Sequence, residues 1–327
     1  MKLGIIGTGM IVKNFLPFFK DMEGLELTSI LSTPRSIDTA KELAETFGIA
    51  SYTSDYETFC NSGIDTVYVA VPNHMHYEYC LKALNSGLHV IVEKPMTSND
   101  TEAKALKQAA AENNCFLFEA ITTLYLGNYK KIQEWLPRIG KVKIAQSFYS
   151  QYSSRYNAFR NGEVLPAFDP AKAGGALMDL NLYNIHYIMG LFGKPEDVMY
   201  YANVERDIDT SGVLVMKYPE FTALCVAAKD SKGLRGGIIQ GTDGVIRSDI
   251  SANLVGKITL ELNDGTVEEY DDGMSQKRVI PEFQAFIRAI NENDMDFCME
   301  MLDKSIAVTE VQTQARRSAG VVFPADN

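Results

Sequence analysis

Lys2-Leu3-Gly4-Ile5-Ile6-Gly7-Thr8-Gly9-Met10-Ile11-Val12 opens the chain with an apolar β-type run that ends directly in Gly-x-Gly and passes into a helical pattern. At such a junction a parallel α/β sheet presents backbone N–H groups and the positive end of a helix to a dinucleotide pyrophosphate. In this reading Gly7 permits the tight turn and Gly9 the close approach of the phosphates. Thr8, Met10 and Ile11 complete the loop and the first helical turn. A Gly-x-Gly alone is weak evidence, so its surroundings decide. Further β-branched runs at 26–31, 66–71, 88–92 and 116–120 alternate with helical patterns at 10–20, 38–47, 74–86 and 100–113. Nearly continuous apolar strands separated by helices predict a doubly wound parallel sheet, an α/β Rossmann domain over residues 1–121.

Beyond residue 121 the rhythm changes. Helical patterns near 128–136 and 175–191 are accompanied by strand patterns at 142–152, 198–204, 212–218, 221–228, 236–241 and 258–262. Consecutive strands joined by turns such as Tyr218-Pro219-Glu220 predict a C-terminal α+β domain, residues 122–327, with a large open, mostly antiparallel sheet. Two helices, near 277–291 and 296–317, close it. The runs Val213 to Met216 and Ala223 to Ala228 are apolar on both faces rather than alternating. The helices of this domain can cover one face, which assigns the other to a partner subunit in a homodimer or homotetramer; the alternative is a thicker single-chain core.

Composition narrows the function. The chain has 327 residues, 46% of them hydrophobic, and 31 Lys and Arg against 42 Asp and Glu, a net charge of −11. That balance disfavours electrostatic binding to nucleic acid or to an anionic membrane, and the apolar content excludes disorder. Apolar runs stop short of the roughly 18 residues that a membrane span needs, and no targeting segment is read at the start. Five scattered cysteines with no CxxC pair predict reduced thiols in a cytoplasmic protein.

The tips of the predicted strands carry the chemistry. The second ends in Ser32-Thr33-Pro34-Arg35-Ser36, where an NAD-binding fold would carry an acid for the ribose hydroxyls. Hydroxyls and an arginine suit a 2′-phosphate, so NADP is the preferred cofactor and NAD the alternative; a solvated loop with an incidental arginine is the plain reading. The fourth ends in Val71-Pro72-Asn73, with His74 and His76 at the head of a helix. Positions two apart diverge on a helix, so these histidines make no metal pair, and no metal site is predicted. Asn73 reads as an N-cap, and Pro72, Asn73 and His76 as contacts near the cofactor edge. The fifth ends in Glu93-Lys94-Pro95, which aims Lys94 at the same crevice as the glycine loop and adds Glu93 and Lys94 to the expected cofactor contacts. Farther on, Asp179, Tyr183 and His186 fall within about 60° of one another on a helical wheel whose remaining surface is largely apolar, a stripe of proton-handling groups on a buried helix.

Taken in order, Gly7-x-Gly9, Ala70-Val71-Pro72-Asn73-x-x-His76, Glu93-Lys94-Pro95, Phe118-Glu119-Ala120 and the run Gly174 to Leu180 resemble the glucose-fructose oxidoreductase/inositol dehydrogenase (Gfo/Idh/MocA) family of NAD(P)-dependent oxidoreductases. The resemblance covers most of the chain. It implies that Lys94 is the catalytic or substrate-orienting lysine, often set by a cis Lys-Pro bond, and that Asp179 is the helix aspartate of the site. Four residues on, where many members have His, this chain has Tyr183, as in the dihydrodiol- and xylose-dehydrogenase-like members. It departs from the family at Thr122-Thr123-Leu124, where Met-Tyr-Arg is usual, so the arginine expected near the nicotinamide is missing.

The expected activity is hydride transfer between the nicotinamide and a hydroxyl or carbonyl carbon of a sugar, cyclitol or diol. Lys94, Asp179 and Tyr183 would handle charge and proton, with His186 as the alternative relay. The competing reading, from another functional class, is a non-catalytic nucleotide-dependent regulator of the same fold, like the fungal galactose repressor. Retention of Lys94, Asp179 and Tyr183 speaks against it.

Overall fold

The computed structural model describes residues 1–327, which form two compact units: residues 1–120 with 279–306, and residues 121–278 with 307–327. The first unit begins as the sequence predicts, with β1 (Lys2–Ile6), α1 (Met10–Phe19), β2 (Glu26–Leu31) and α2 (Ile37–Phe47). It continues through β3 (Ser51–Thr53), α3 (Tyr56–Cys60), β4 (Thr66–Val69), α4 (His76–Asn85), β5 (His89–Glu93), α5 (Asp100–Glu112) and β6 (Leu117–Ala120). All six strands are parallel, in the order β3-β2-β1-β4-β5-β6. The order reverses between β1 and β4, the topological switch point at whose strand carboxyl ends open α/β sheets bind their ligands. The elements β3 and α3 were not read from the sequence; they are too short to show a period.

Strand alternation divides the side chains between two layers. Val67, Val69, Val90, Val92 and Leu117 pack against Cys80, Ala83 and Leu84 of α4 and against Ala103, Leu106 and Ala110 of α5. Tyr68 and Phe118 face the other way. Tyr68 meets Phe19 of α1 and Phe283 at centroid distances of 5.9 and 5.5 Å, and Phe118 stacks on Phe286 at 4.6 Å.

The second unit contains α6 (Gly127–Trp135), β7 (Val142–Ser150), α7 (Tyr156–Arg160), a π-helical turn at Leu177–Asn181 and α8 (Leu182–Phe192). Its remaining strands are β8 (Asp197–Glu205), β9 (Ile208–Lys217), β10 (Thr222–Ala228), β11 (Arg235–Gly241), β12 (Gly244–Ser248), β13 (Ile258–Leu262) and β14 (Val267–Tyr270). They form one sheet in the order β14-β13-β12-β11-β7-β10-β9-β8, antiparallel except for the pair β7 and β10. Ala145, Leu214, Met216, Cys225, Ile239 and Ile246 lie on its covered face, in one buried cluster with Ile132 of α6 and Ile185 and Ile188 of α8. Register places Tyr201, Val213, Val226 and Phe148 side by side on the opposite face, with Met199, Val215 and Leu224 in the next row. There Met199 is 50% and Tyr201 62% exposed.

Two helices close the chain, α9 (Val279–Asn291) and α10 (Met295–Ser318). The sequence reading placed both in the second domain. In the structure α9 and the residues of α10 up to Ile306 count with the first unit. The reason is aromatic: α9 supplies Phe283 and Phe286 to the sheet face that bears Tyr68 and Phe118. No helix is long and apolar enough to cross a membrane.

Candidate active site

The glycine loop shows two opposite uses of glycine. Gly7 has φ +119°, donates its N–H to Leu31 O at 2.9 Å, and leaves no room for a Cβ, which would collide with the Ala70 carbonyl. At Gly9 an added Cβ would meet no protein atom within 4 Å, and this residue caps α1 with no side chain. The first-turn N–H groups of the ten-residue α1 therefore adjoin open space that a side chain at Gly9 would enter. A pyrophosphate fits there, on orphan donors and the positive helix end.

Beside this loop, at the end of β2, Pro34–Ser36 form a 3₁₀ turn that exposes Arg35. Ser36 N–H donates to Thr33 O at 2.9 Å, and the Thr33 and Ser36 hydroxyls lie 3.0 Å apart. Ser32 leads into the turn. These hydroxyls and one guanidinium are clustered on a few residues, without a carboxylate among them.

At the end of β4 the structure corrects one expectation. Asn73 is not the N-cap of α4: residues Asn73–Met75 form a 3₁₀ turn after Pro72, and α4 starts at His76 with Met75 in the cap position and no side-chain cap. His76 is fully buried, and its ring nitrogens lie 2.8 Å from Pro95 O and 2.9 Å from Val71 O. Both oxygens can only accept, so the neutral ring donates to one of them at a time and only the imidazolium donates to both; either way the ring sits between the end of β5 and the end of β4. Burial pulls the pKa of His76 below its ordinary value, against the bonds to the two carbonyls.

Further braces hold the Glu93-Lys94-Pro95 turn. Tyr68 Oη donates to buried Glu93 Oε1 at 2.5 Å, and Met96 N–H donates to Glu119 Oε1 at 2.9 Å. The Lys94-Pro95 peptide is cis. Half-buried Lys94 thus stands in a turn fixed on both sides, and Glu93 and His76 serve as its supports. Gly7, Gly9, Ser32 to Ser36, Pro72, Asn73 and Lys94 all follow carboxyl ends of parallel strands in the first unit.

In the second unit Asp179, Tyr183 and His186 share one helix, although it is not a uniform α-helix. Asp179 sits in the π-helical turn Leu177–Asn181, and Tyr183 and His186 sit in α8. The even spacing of about 100° per residue, on which the predicted stripe depends, therefore fails across the turn. Tyr183 and His186 are buried, and the Tyr183 ring lies 6.1 Å from that of Tyr149. Asp209 of β9 fastens the head of this helix: its Oδ2 accepts from Leu177 N–H at 2.6 Å and from Tyr200 Oη at 2.7 Å. Gly175, at φ +105°, passes so near that a Cβ would collide with the Asp209 carboxylate. Burial raises the pKa of Asp209 to about 6, against the pull of Tyr200, Leu177 and Lys229.

The sequence reading missed four other groups. Asn181 Nδ2 donates to Cys225 O at 3.1 Å, and Asn184 Nδ2 donates to Val226 O at 3.0 Å, so amides tie the helix to β10. Ser147 Oγ of β7 donates to Asn184 Oδ1 at 2.8 Å. Lys229, just past β10, lies with Nζ 2.9 Å from Asp179 Oδ2. A lysine after an apolar strand reads as a solvated end, and no local pattern reveals that this one is buried. The hydroxyls of Thr122 and Thr123, where the family arginine was expected, donate to Asn253 O at 3.1 Å and Ala252 O at 2.8 Å.

Comparison with known proteins gives this arrangement a setting. Residues 1–121 match the family model described as "Oxidoreductase family, NAD-binding Rossmann fold", and residues 129–247 match the "GFO/IDH/MocA C-terminal domain". The scyllo-inositol 2-dehydrogenase (NADP(+)) IolU of Bacillus subtilis (strain 168) is 34% identical over 329 aligned positions, covering 100% of this chain and 99% of that protein. The D-xylose 1-dehydrogenase (NADP(+)) 2 of Haloferax volcanii is 28% identical, with 90% of each chain covered. A solved 3-ketoreductase from Actinomadura kijaniata, in complex with NADP and TDP-benzene, shares the fold with a TM-score of 0.83 at 21% identity, over 97% of each chain. Two family models that together take in most of the chain, and a relative aligned from end to end, establish that this protein belongs to the GFO/IDH/MocA oxidoreductase family.

Proposed function

We propose that the chain transfers hydride between NADP and a hydroxyl or carbonyl carbon of a sugar, cyclitol or diol, as a cytoplasmic homodimer or homotetramer. The observation that carries this reading is its full-length likeness to an NADP-dependent inositol dehydrogenase, with Lys94, Asp179 and Tyr183 all present. The nicotinamide supplies the redox chemistry when bound.

The protein's part is binding, orientation and proton handling. Gly7, Thr8, Gly9, Met10 and Ile11 receive the pyrophosphate; Ser32, Thr33, Arg35 and Ser36 receive the 2′-phosphate, and Pro72 and Asn73 border the cofactor. Lys94, kept in place by the Glu93, His76 and Glu119 braces, provides positive charge for an alkoxide developing on the substrate oxygen. Tyr183 exchanges the proton at its phenol, with His186 as the alternative relay, and Asp179 orients the substrate hydroxyl. Five free thiols favour a reducing compartment.

The test is nicotinamide absorbance of the purified protein with NADP(H) and NAD(H) across inositols, aldoses and vicinal diols, and their ketones. Turnover of at least one substrate, faster with NADP(H), is the expected outcome. Tight cofactor binding with no turnover on any of them would sink the reading.

A further inference from the structure

We infer that Lys229 is a positioning residue of this enzyme, acting through the Asp179 carboxylate; the inference rests on the catalytic reading of Asp179 given above. Lys229 is 2% exposed, an unusual place for an ammonium, and its surroundings are built for charge. Its Nζ lies 2.9 Å from Asp179 Oδ2, donates to Ala167 O at 2.7 Å, and sits 4.8 Å from the centroid of the Phe168 ring. A carboxylate, a carbonyl and an aromatic face thus surround one cation. Asp209, which fastens the head of the same helix, adds a second negative charge acting on the ammonium. The main chain of Lys229 is fixed as well, its N–H donating to Thr210 O at 2.8 Å and its carbonyl accepting from Ser153 N–H at 2.8 Å.

The pair is asymmetric, and the asymmetry points to function. The lysine side chain is 3% exposed, whereas that of Asp179 is 37% exposed. A cation inside the protein therefore grips from behind a carboxylate that still reaches solvent. For stability alone, a buried ion pair is a poor device, since apolar side chains of similar volume do as well or better. What the ammonium adds is direction: it sets which way the carboxylate faces and keeps it ionised. Through Ala167 the same cation holds the turn at Pro166–Phe168, so helix head and preceding loop share one anchor. Misplacing a positioned group by about 1 Å can cost about 10²-fold in rate.

The test compares Lys229→Met, Lys229→Arg, Asp179→Asn and the Lys229→Met/Asp179→Asn double variant in the full-length protein, with a substrate found in the screen above. Lys229→Met should lower kcat about 10-fold or more with little change in NADP(H) affinity, and Lys229→Arg should recover part of it. In the Asp179→Asn background, Lys229→Met should cost less than about 3-fold, because its route of action is already gone. Independently of turnover, ¹³C titration of side-chain carboxylates, with Asp179 assigned by its absence in Asp179→Asn, should show the Asp179 pKa raised by about one unit or more in Lys229→Met and restored in Lys229→Arg. An unshifted Asp179 titration, or the same fold loss of kcat in both backgrounds, would overturn the inference. A wild-type level of turnover in Asp179→Asn would instead overturn the catalytic reading of Asp179 while leaving the titration to decide the pairing.

Discussion

The role proposed for Lys94 rests on what holds it. Hydrogen bonds to the Glu93 side chain and to the main chain at Pro95 and Met96 hold the residues on either side, so its ammonium departs from a defined point. Lys94→Ala should lower kcat by at least about 10²-fold while NADP(H) affinity stays close to normal, and Tyr183→Phe should give a smaller loss. Steady-state kinetics with fluorescence titration of the cofactor measures both. Near-normal turnover of Lys94→Ala would remove the lysine from the mechanism; near-normal turnover of Tyr183→Phe alone would pass the proton to His186. The proposed reading of the 2′-phosphate by Arg35 makes cofactor choice testable at a second single residue. Arg35→Ala should weaken NADP(H) binding about 10-fold and leave NAD(H) binding unchanged, because only the former has a 2′-phosphate to lose a charged partner. Equal effects on the two cofactors would show that Arg35 does not read that phosphate.

At the scale of the element, the helix bearing Asp179, Tyr183 and His186 is held by polar groups from the sheet more than by its own propensity. Asp209 receives Leu177 N–H, and Asn181 and Asn184 reach main-chain carbonyls of β10. Asp209 gives this arrangement a pH signature. Its folded pKa of about 6 lies above the ordinary 3.8, so folding favours its neutral form. The stability it contributes is complete below about pH 3.8 and is lost as pH rises through about 6, a swing of about 3 kcal/mol. Asp209→Asn keeps an oxygen for Leu177 N–H and Tyr200 Oη but removes the titration. Thermal unfolding across this range should show Tm of the variant rising by several degrees relative to wild type between pH 4 and 7. Parallel pH curves for the two proteins would mean that Asp209 does not titrate there.

For the whole molecule, the outer face of the eight-stranded sheet carries the remaining prediction. Tyr201, Val213, Val226 and Phe148 stand side by side across β8, β9, β10 and β7, a contiguous apolar strip. Such a strip favours self-association, and a symmetric pairing of two copies satisfies it with one surface. Light scattering at micromolar concentration should give a dimer or tetramer. Val213→Asp combined with Val226→Asp should yield a smaller species with unchanged circular dichroism. A wild-type monomer would show that this face tolerates water.

How much of this was legible beforehand follows from the range of each interaction. The parallel sheet, the glycine turn and the strand-end positions of Arg35 and Lys94 were readable because they depend on local period and on what immediately follows a strand. Family motifs added Asp179 and Tyr183 in the same way, as residues at fixed spacing. The rest depends on contacts between residues far apart in the chain. The aromatic need of one sheet face draws α9 into the first unit, and the burial of His76, Asp209 and Lys229 follows from which strand end or loop arrives beside each. The break in the helix at Leu177–Asn181 coincides with anchors on β9 and β10 that no helical wheel contains. Sequence by itself determined the elements and the residue types available for chemistry; only the tertiary structure decided which charges were buried and paired, because desolvation and partner geometry exist only once distant segments have packed.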